Sequence, residues 1–143
     1  MHTSRLLLFV LAFGACVDAP TDQYVTLAKT LDLEAGSWLD VTAPEALLTP
    51  GYHHELCFRV AEPFALGEDP MGLIDASGGR VALVASAYAP NETLELSGFS
   101  YSGDRNACLG VSQVDLSGSF TGVRLRAAAP LRLHDVRWQS VDK

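Results

Sequence analysis

The chain has 143 residues, of which 48% are apolar and 19% are charged, so its composition is that of a folded domain and not of a disordered segment. A formal net charge of −7 argues against a nucleic-acid partner, because binding to a phosphate backbone needs an excess of basic side chains. No apolar stretch reaches the roughly 20 residues that a membrane-spanning helix requires.

The first fifteen residues have the pattern of a secretion signal. Arg5 provides a short positive start, residues 6–13 are an unbroken apolar run, and Gly14 and Ala15 are the small residues that signal cleavage requires. A polar stretch follows at once. We therefore expect residues 1–15 to be a signal peptide that takes no part in the fold.

The cysteine after this segment indicates lipidation. The sequence Phe13-Gly14-Ala15-Cys16 resembles the lipobox of bacterial lipoproteins. The resemblance implies that Cys16 is acylated and becomes the first mature residue, so that its acyl chains attach the protein to a membrane. Residues 16–23 would then be the lipidated cysteine and a short tether. Ordinary signal cleavage nearby is the alternative.

The same motif predicts a location in the cell envelope. The residue after Cys16 is Val17 and not the Asp that retains such proteins at the inner membrane, which favours the outer membrane or the periplasmic face. With Cys16 assigned to lipid, Cys57 and Cys108 are left to pair in an oxidising compartment. Each lies between apolar residues that alternate along a strand, so we expect a disulfide that joins two strands. A catalytic or metal-binding thiol is the alternative.

The rest of the chain has the pattern of an all-β domain over residues 24–143. Short stretches rich in Val, Leu, Thr, Phe and Tyr are separated by Gly, Pro, Asn and Ser every eight to twelve residues, which predicts an antiparallel β-sandwich or jelly roll. The eight predicted strands are Tyr24–Leu33, Ser37–Val41, His53–Ala61, Val81–Ala89, Thr93–Tyr101, Ala107–Leu116, Phe120–Ala127 and Leu131–Ser140.

Two further segments are predicted differently. Residues 44–48 are expected to form a helical turn, with Thr42 as its N-cap and Glu45 three residues later. The longest loop is expected from Glu62 to Asp75, and a loop of this length in a small domain is a candidate functional segment.

Two metal sites are conceivable from the sequence, and neither is assigned. His53 and Glu55 share a strand face and, with the distant His134, could hold zinc, although polar residues on a solvent-facing strand show the same pattern. A structural calcium ion is the second alternative, and otherwise no cofactor is expected. The acidic residues that could serve it are Asp32, Glu34, Glu68, Asp69 and Asp104.

Exposed aromatic rings are candidates for glycan binding, because a flat apolar ring stacks on the C–H face of a sugar. Trp38, Tyr52, Tyr88 and Tyr101 are the candidates, and Tyr52 and Tyr101 adjoin turn residues. Trp138 follows Val136 at strand spacing and is expected in the core instead.

The basic residues concentrate near the C-terminus, where residues 116–143 contain five basic and two acidic side chains. We expect the strands that carry Arg124, Arg126 and Arg132 to pair as a hairpin, with Val123 opposite Leu133. That register would place Arg124 opposite Arg132 on one outer face. Like charges in this position need an anionic neighbour, either a carboxylate of the protein or an anionic ligand.

The arrangement of strands and turns weakly resembles jelly-roll carbohydrate-binding modules, over roughly residues 24–140. The resemblance implies a β-sandwich that binds a glycan, and it identifies no binding residue. The motifs of common hydrolases and phosphate-binding loops are missing. We therefore expect a non-catalytic, lipid-anchored module that binds a glycan or another envelope component. A structural lipoprotein with a protein partner is the second hypothesis, and a small hydrolase is the third.

Overall fold

A computed structural model describes residues 22–68, 71–103, 105–113 and 118–142. The predicted signal peptide, Cys16 and the first part of the tether lie outside the described residues, as do the calcium candidates Asp69 and Asp104. Across the described ranges, no helix is long and apolar enough to cross a membrane.

The described chain is all-β, as predicted, and it contains more strands than the eight expected. The twelve strands are β1 (Gln23–Leu33), β2 (Leu39–Leu48), β3 (His53–Val60), β4 (Ala65–Glu68), β5 (Met71–Ile74), β6 (Arg80–Val81), β7 (Leu83–Ala89), β8 (Glu92–Glu95), β9 (Gly98–Ser102), β10 (Asn106–Ser112), β11 (Ser119–Ala127) and β12 (Leu131–Val141).

These strands form a β-sandwich of two large antiparallel sheets. Sheet A has the strand order β1-β12-β3-β10-β9, and sheet B has the order β2-β11-β7-β8. A small third sheet, in the order β4-β5-β6, lies in the connection between β3 and β7. All strand pairs within the sheets are antiparallel.

The core lies between the inner faces of sheets A and B. Side chains alternate along β11 and β12, so that Phe120, Val123 and Leu125 from sheet B and Leu133 and Trp138 from sheet A are buried. The indole N–H of Trp138 donates to the Leu48 carbonyl oxygen of β2 at 3.0 Å and so joins the two sheets. The predicted core position of Trp138 is confirmed.

The helical turn expected at residues 44–48 is wrong, because this segment is the second half of β2. Leu47 and Leu48 pair with Phe120 and Ser119 of β11, and Leu47 is completely buried. β2 is an edge strand of sheet B, where a proline such as Pro44 is tolerated because no neighbouring strand needs its missing N–H. Burial of Leu47 therefore outweighs the local helix signal.

The long loop expected from Glu62 to Asp75 is also wrong, because it contains β4 and β5. Phe64 and Leu73 are buried against the main core, which explains why this segment is ordered into strands. The predicted strand Thr93–Tyr101 is divided into β8 of sheet B and β9 of sheet A. Leu96 is buried at this crossing between the sheets.

The hairpin expected near the C-terminus does not form. β11 belongs to sheet B and β12 to sheet A, so the chain crosses the sandwich between them and their apolar residues meet across the core. Val123 pairs with Val41 and Ala87, and not with Leu133. An alternating apolar pattern specifies an inward face but does not say which strand lies alongside.

The predicted disulfide is present. Cys57 of β3 lies directly opposite Cys108 of β10, and their sulfur atoms are 2.04 Å apart. The two residues are 51 positions apart in the chain. The bond therefore joins two neighbouring strands of sheet A, as the sequence pattern predicts.

Candidate functional site

The candidate site is the outer face of sheet B. The register of the sheet places Asp40 of β2, Arg124 of β11, Ser86 of β7 and Glu95 of β8 side by side in one row across the four strands. After the register shift between Phe120 and Gly122, Arg124 and Arg126 point away from the core, because Val123 and Leu125 between and beside them are buried. The row therefore brings two carboxylates and a guanidinium to one surface, with the largely buried Ser86 between the guanidinium and the second carboxylate.

Trp38 forms one wall of this face. It immediately precedes β2, and its side chain is 48% exposed, which is unusual for a large aromatic residue. The guanidinium carbons of Arg124 and Arg126 lie 5.2 and 4.9 Å from the centroid of its ring. Such cation–π contacts hold the indole in place while much of its surface stays accessible.

A cleft of about 440 Å³ runs along this surface. Its size falls within the range of small-molecule sites. Trp38 and Arg124 lie on one side, and the cleft extends over β7 and β8 to the opening between the sheets. Its polar lining includes Ser86, Thr93, Glu95 and Ser97.

Arg124 and Arg126 differ in their charged neighbours. The Arg124 Nε–H donates to Asp40 Oδ1 at 2.7 Å, which forms an exposed ion pair. Arg126 forms no ion pair with any residue that the structure describes. The anionic neighbour that the sequence required for Arg124 is thus a carboxylate of the protein itself.

The two carboxylates of the row are far apart. Asp40 and Glu95 are separated by three strand spacings of about 4.8 Å each, or about 14 Å. The paired carboxylates of glycoside hydrolases lie about 5–10 Å apart. This pair therefore does not have the geometry of a glycosidase site.

Tyr88 belongs to the next row of residues on the same face, between Thr93 of β8 and Gly122 of β11. Gly122 of β11 pairs with Tyr88, and a Cβ atom on Gly122 would lie only 2.7 Å from the Tyr88 hydroxyl oxygen. The tyrosine ring therefore covers the glycine backbone. Gly122 also approaches the Val41 carbonyl oxygen, so this position has no room for a side chain.

The other candidates from the sequence lie elsewhere. Tyr52 is 38% exposed, and its N–H donates to the Val141 carbonyl oxygen at the opposite end of the sandwich from Trp38. Tyr101 packs against the core from β9. Trp38, Tyr52 and Tyr101 are therefore not brought into one cleft, and of these three Trp38 lines the cleft described above.

Arg132 also lies away from Arg124 and Arg126, on the outer face of sheet A. It pairs with Asp32 of β1, and its Nε–H donates to Asp32 Oδ1 at 2.6 Å. This hydrogen bond holds the pKa of Asp32 below its ordinary value. The expectation of a single face with three arginines is wrong because β11 and β12 belong to different sheets.

The zinc candidates are not brought together. His134 pairs with Arg59, four residues along β3 from Glu55, or about 13 Å at the rise of a strand. His53 lies close to the Ser112 hydroxyl, and Glu55 accepts a hydrogen bond from Gln139 at 2.8 Å. Glu55 also lies close to Cys57 and Cys108, but these sulfur atoms are bonded to each other and are not available as thiolate ligands.

Several residues of the cleft were missed from the sequence. Ser86, Thr93 and Glu95 are polar residues of ordinary type, and they line the cleft because β7 and β8 follow β11 in the order of sheet B. The alternation Val84-Ser86-Tyr88 along β7 could have identified the outward face of that strand. It could not have identified β11 as its neighbour.

Comparison of the chain with protein-family models, with curated proteins and with solved structures finds no match.

Proposed function

We propose that this chain is a lipid-anchored, non-catalytic module of a bacterial cell envelope that binds a glycan on the outer face of sheet B. The observation that carries the proposal is the exposed ring of Trp38 at the side of a cleft lined by hydrogen-bonding side chains. The lipid anchor rests on the lipobox-like sequence at Cys16.

The cleft offers both kinds of contact that a sugar needs. The indole of Trp38 supplies a flat apolar surface for the C–H face of a pyranose ring. Ser86 and Thr93 can donate to or accept from hydroxyl groups, and Glu95 can accept from them. Because the ring of Trp38 packs against two guanidinium groups, its orientation is fixed before a ligand arrives, which lowers the entropic cost of binding.

The position of this cleft suits an anchored protein. β1 begins at Gln23, close to the predicted tether, and ends at Leu33, after which a short turn leads to Trp38. An eleven-residue strand is roughly 33 Å long. The cleft therefore lies near the end of the sandwich that is farther from the anchor, where it would face away from the bilayer.

The first experiment tests glycan binding. The full-length exported protein, purified in detergent, is applied to an array of envelope and plant oligosaccharides, and binding is then titrated by tryptophan fluorescence. The chain has two tryptophans, and Trp138 is fully buried, so a ligand-dependent signal would report on Trp38. We expect Trp38→Ala to abolish binding, while Tyr52→Ala at the other end of the sandwich binds as the wild type does.

A second experiment tests the anchor. Radiolabelled fatty acid should be incorporated into the wild type and not into Cys16→Ser, because the thiol is the acyl acceptor. Label in the mutant, or none in the wild type, would contradict lipidation. If no glycan binds but one envelope protein is captured and lost with Trp38→Ala, the alternative of a protein partner replaces the glycan.

A further inference from the structure

We propose that the glycan bound on this face is acidic, and that Arg126 binds a carboxylate on the sugar that stacks on Trp38. This inference rests on the proposed glycan-binding function and narrows it to one chemical class. It is argued from the difference between the two arginines that contact the same indole ring.

Arg124 and Arg126 both lie over the same indole ring. Their guanidinium carbons lie about 5 Å from the centroid of the Trp38 ring. A guanidinium group over an aromatic ring can still donate hydrogen bonds through the N–H groups that point away from the ring. The remaining N–H donors of each guanidinium group therefore determine what that arginine can still bind.

The edge of Arg124 is occupied. Its Nε–H donates to Asp40 at 2.7 Å, so its charge is balanced by a carboxylate of the neighbouring strand. Arg126 has no carboxylate within ion-pair distance among the described residues. Its neighbour on β7 is Val84, which is 42% exposed and offers no charge. Among the described residues, Arg126 thus lies over the indole ring without a carboxylate to balance its charge.

A guanidinium edge is the preferred protein partner of a planar carboxylate. Two parallel N–H···O hydrogen bonds match the fork of the side chain, and charge-assisted bonds of this kind are stronger than neutral ones. A uronic acid carries its carboxylate on the pyranose ring itself. If the ring stacks on Trp38, the carboxylate reaches a guanidinium that already touches the same indole.

The positive charge of Arg126 is opposite in sign to the net charge of the whole chain. The chain carries a net charge of −7, which repels acidic polymers in general. An acidic glycan would therefore be held by a local contact and not by the overall field. We therefore expect a preference for acidic over uncharged glycans, and we expect this preference to depend on Arg126.

The test uses a matched pair of ligands. Oligogalacturonate and its methyl ester have the same sugar ring, but the ester has lost the negative charge. The full-length protein is titrated with each, and other uronic-acid oligosaccharides on the array extend the comparison. We expect the acid to bind at least about tenfold more tightly than the ester, as charge-assisted hydrogen bonds allow.

Two variants separate charge from geometry. Arg126→Gln should bring the affinities for acid and ester together, and Arg126→Lys should restore only part of the difference because a lysine cannot form the bidentate contact. The control is Arg137→Gln, an exposed arginine on sheet A, which should keep the full preference. Equal affinities for acid and ester in the wild type would overturn the inference and leave glycan binding standing. Binding of neither ligand, and of no glycan on the array, would overturn both.

Discussion

The ring nitrogen Nδ1 of His54 lies 2.9 Å from the hydroxyl oxygen of Ser140, and both side chains are completely buried. The Ser140 hydroxyl also accepts from the Gly51 N–H at 2.8 Å. The other ring nitrogen, Nε2, lies 3.4 Å from the Gln113 carbonyl oxygen, which can only accept. A neutral ring that carries its hydrogen on Nε2 satisfies both contacts, so the core is built around an uncharged histidine.

This arrangement predicts that the protein loses stability in mild acid. Burial lowers the pKa of His54, and the nearby Gln113 carbonyl only partly opposes that effect. Well above pH 6.5, the ordinary histidine pKa, the ring is neutral in both the folded and the unfolded states. As the pH falls through 6.5, the unfolded chain takes up a proton more readily than the folded chain does, so the free energy of unfolding decreases. Urea unfolding between pH 7.5 and pH 5 measures this slope.

The control for this prediction is His54→Gln. This variant should be less stable than the wild type at pH 7.5, because its amide does not reproduce the ring contacts. Its free energy of unfolding should, however, depend less steeply on pH. His134→Gln, on the outer face of sheet A, should keep the slope of the wild type. An identical slope in His54→Gln and the wild type would show that another group causes the pH dependence.

The disulfide predicts a second effect on stability. Replacing Cys57 and Cys108 together by Ala removes a link that closes a loop of about 50 residues, so the free energy of unfolding should fall by about 2–5 kcal/mol. The native protein should show no reactive thiol at these positions until it is denatured and reduced. Reaction of both thiols in the native state would contradict the bond.

The ion pair of Arg132 predicts a change in one pKa with little change in stability. Arg132 donates to both carboxylate oxygens of Asp32, at 2.6 and 3.3 Å, and so lowers the pKa of Asp32. In Arg132→Gln, a carboxyl titration by NMR should find the Asp32 pKa raised toward its ordinary value. The unfolding midpoint should barely move, because exposed ion pairs contribute little. An unchanged pKa would mean that the pair does not persist in solution.

Gly122 predicts a steric effect on the candidate face. In Gly122→Ala the added Cβ would collide with the Val41 carbonyl oxygen and the Tyr88 ring, so β2 and β11 must move apart. We expect a loss of about 1–3 kcal/mol in the free energy of unfolding. Thr42→Ala is the control, because Thr42 is the exposed residue directly opposite. Equal stability of the two variants would contradict the close approach.

The sequence was sufficient to predict the class of fold and the positions of its core. Alternation of apolar residues identified the inward face of β12 with Trp138, and the environment of the cysteines identified the bond between Cys57 and Cys108. These features depend on local periodicity, which one sequence contains. Strand boundaries were less accurate where tertiary burial outweighs local preference, as at Leu47.

Strand neighbours could not be predicted in the same way. Arg124 and Arg132 are eight positions apart, and the short connection between their strands is compatible with a hairpin or with a crossing between sheets. The structure pairs them with Asp40 and Asp32, which are 84 and 100 positions away in the chain. For the same reason Trp38 was identified as a candidate, whereas Ser86 and Glu95, which line the same cleft from β7 and β8, were not.

The pairing of β1 along almost its whole length with β12 has a mechanical consequence. If the N-terminus is fixed to a bilayer and a polymer pulls on the Trp38 end, the load runs roughly parallel to these two strands. Hydrogen bonds loaded in this shear direction share the force and must break together, whereas bonds pulled open from one end would break in turn. With this strand arrangement, β1 would stay paired with β12 while the bound ligand is under tension.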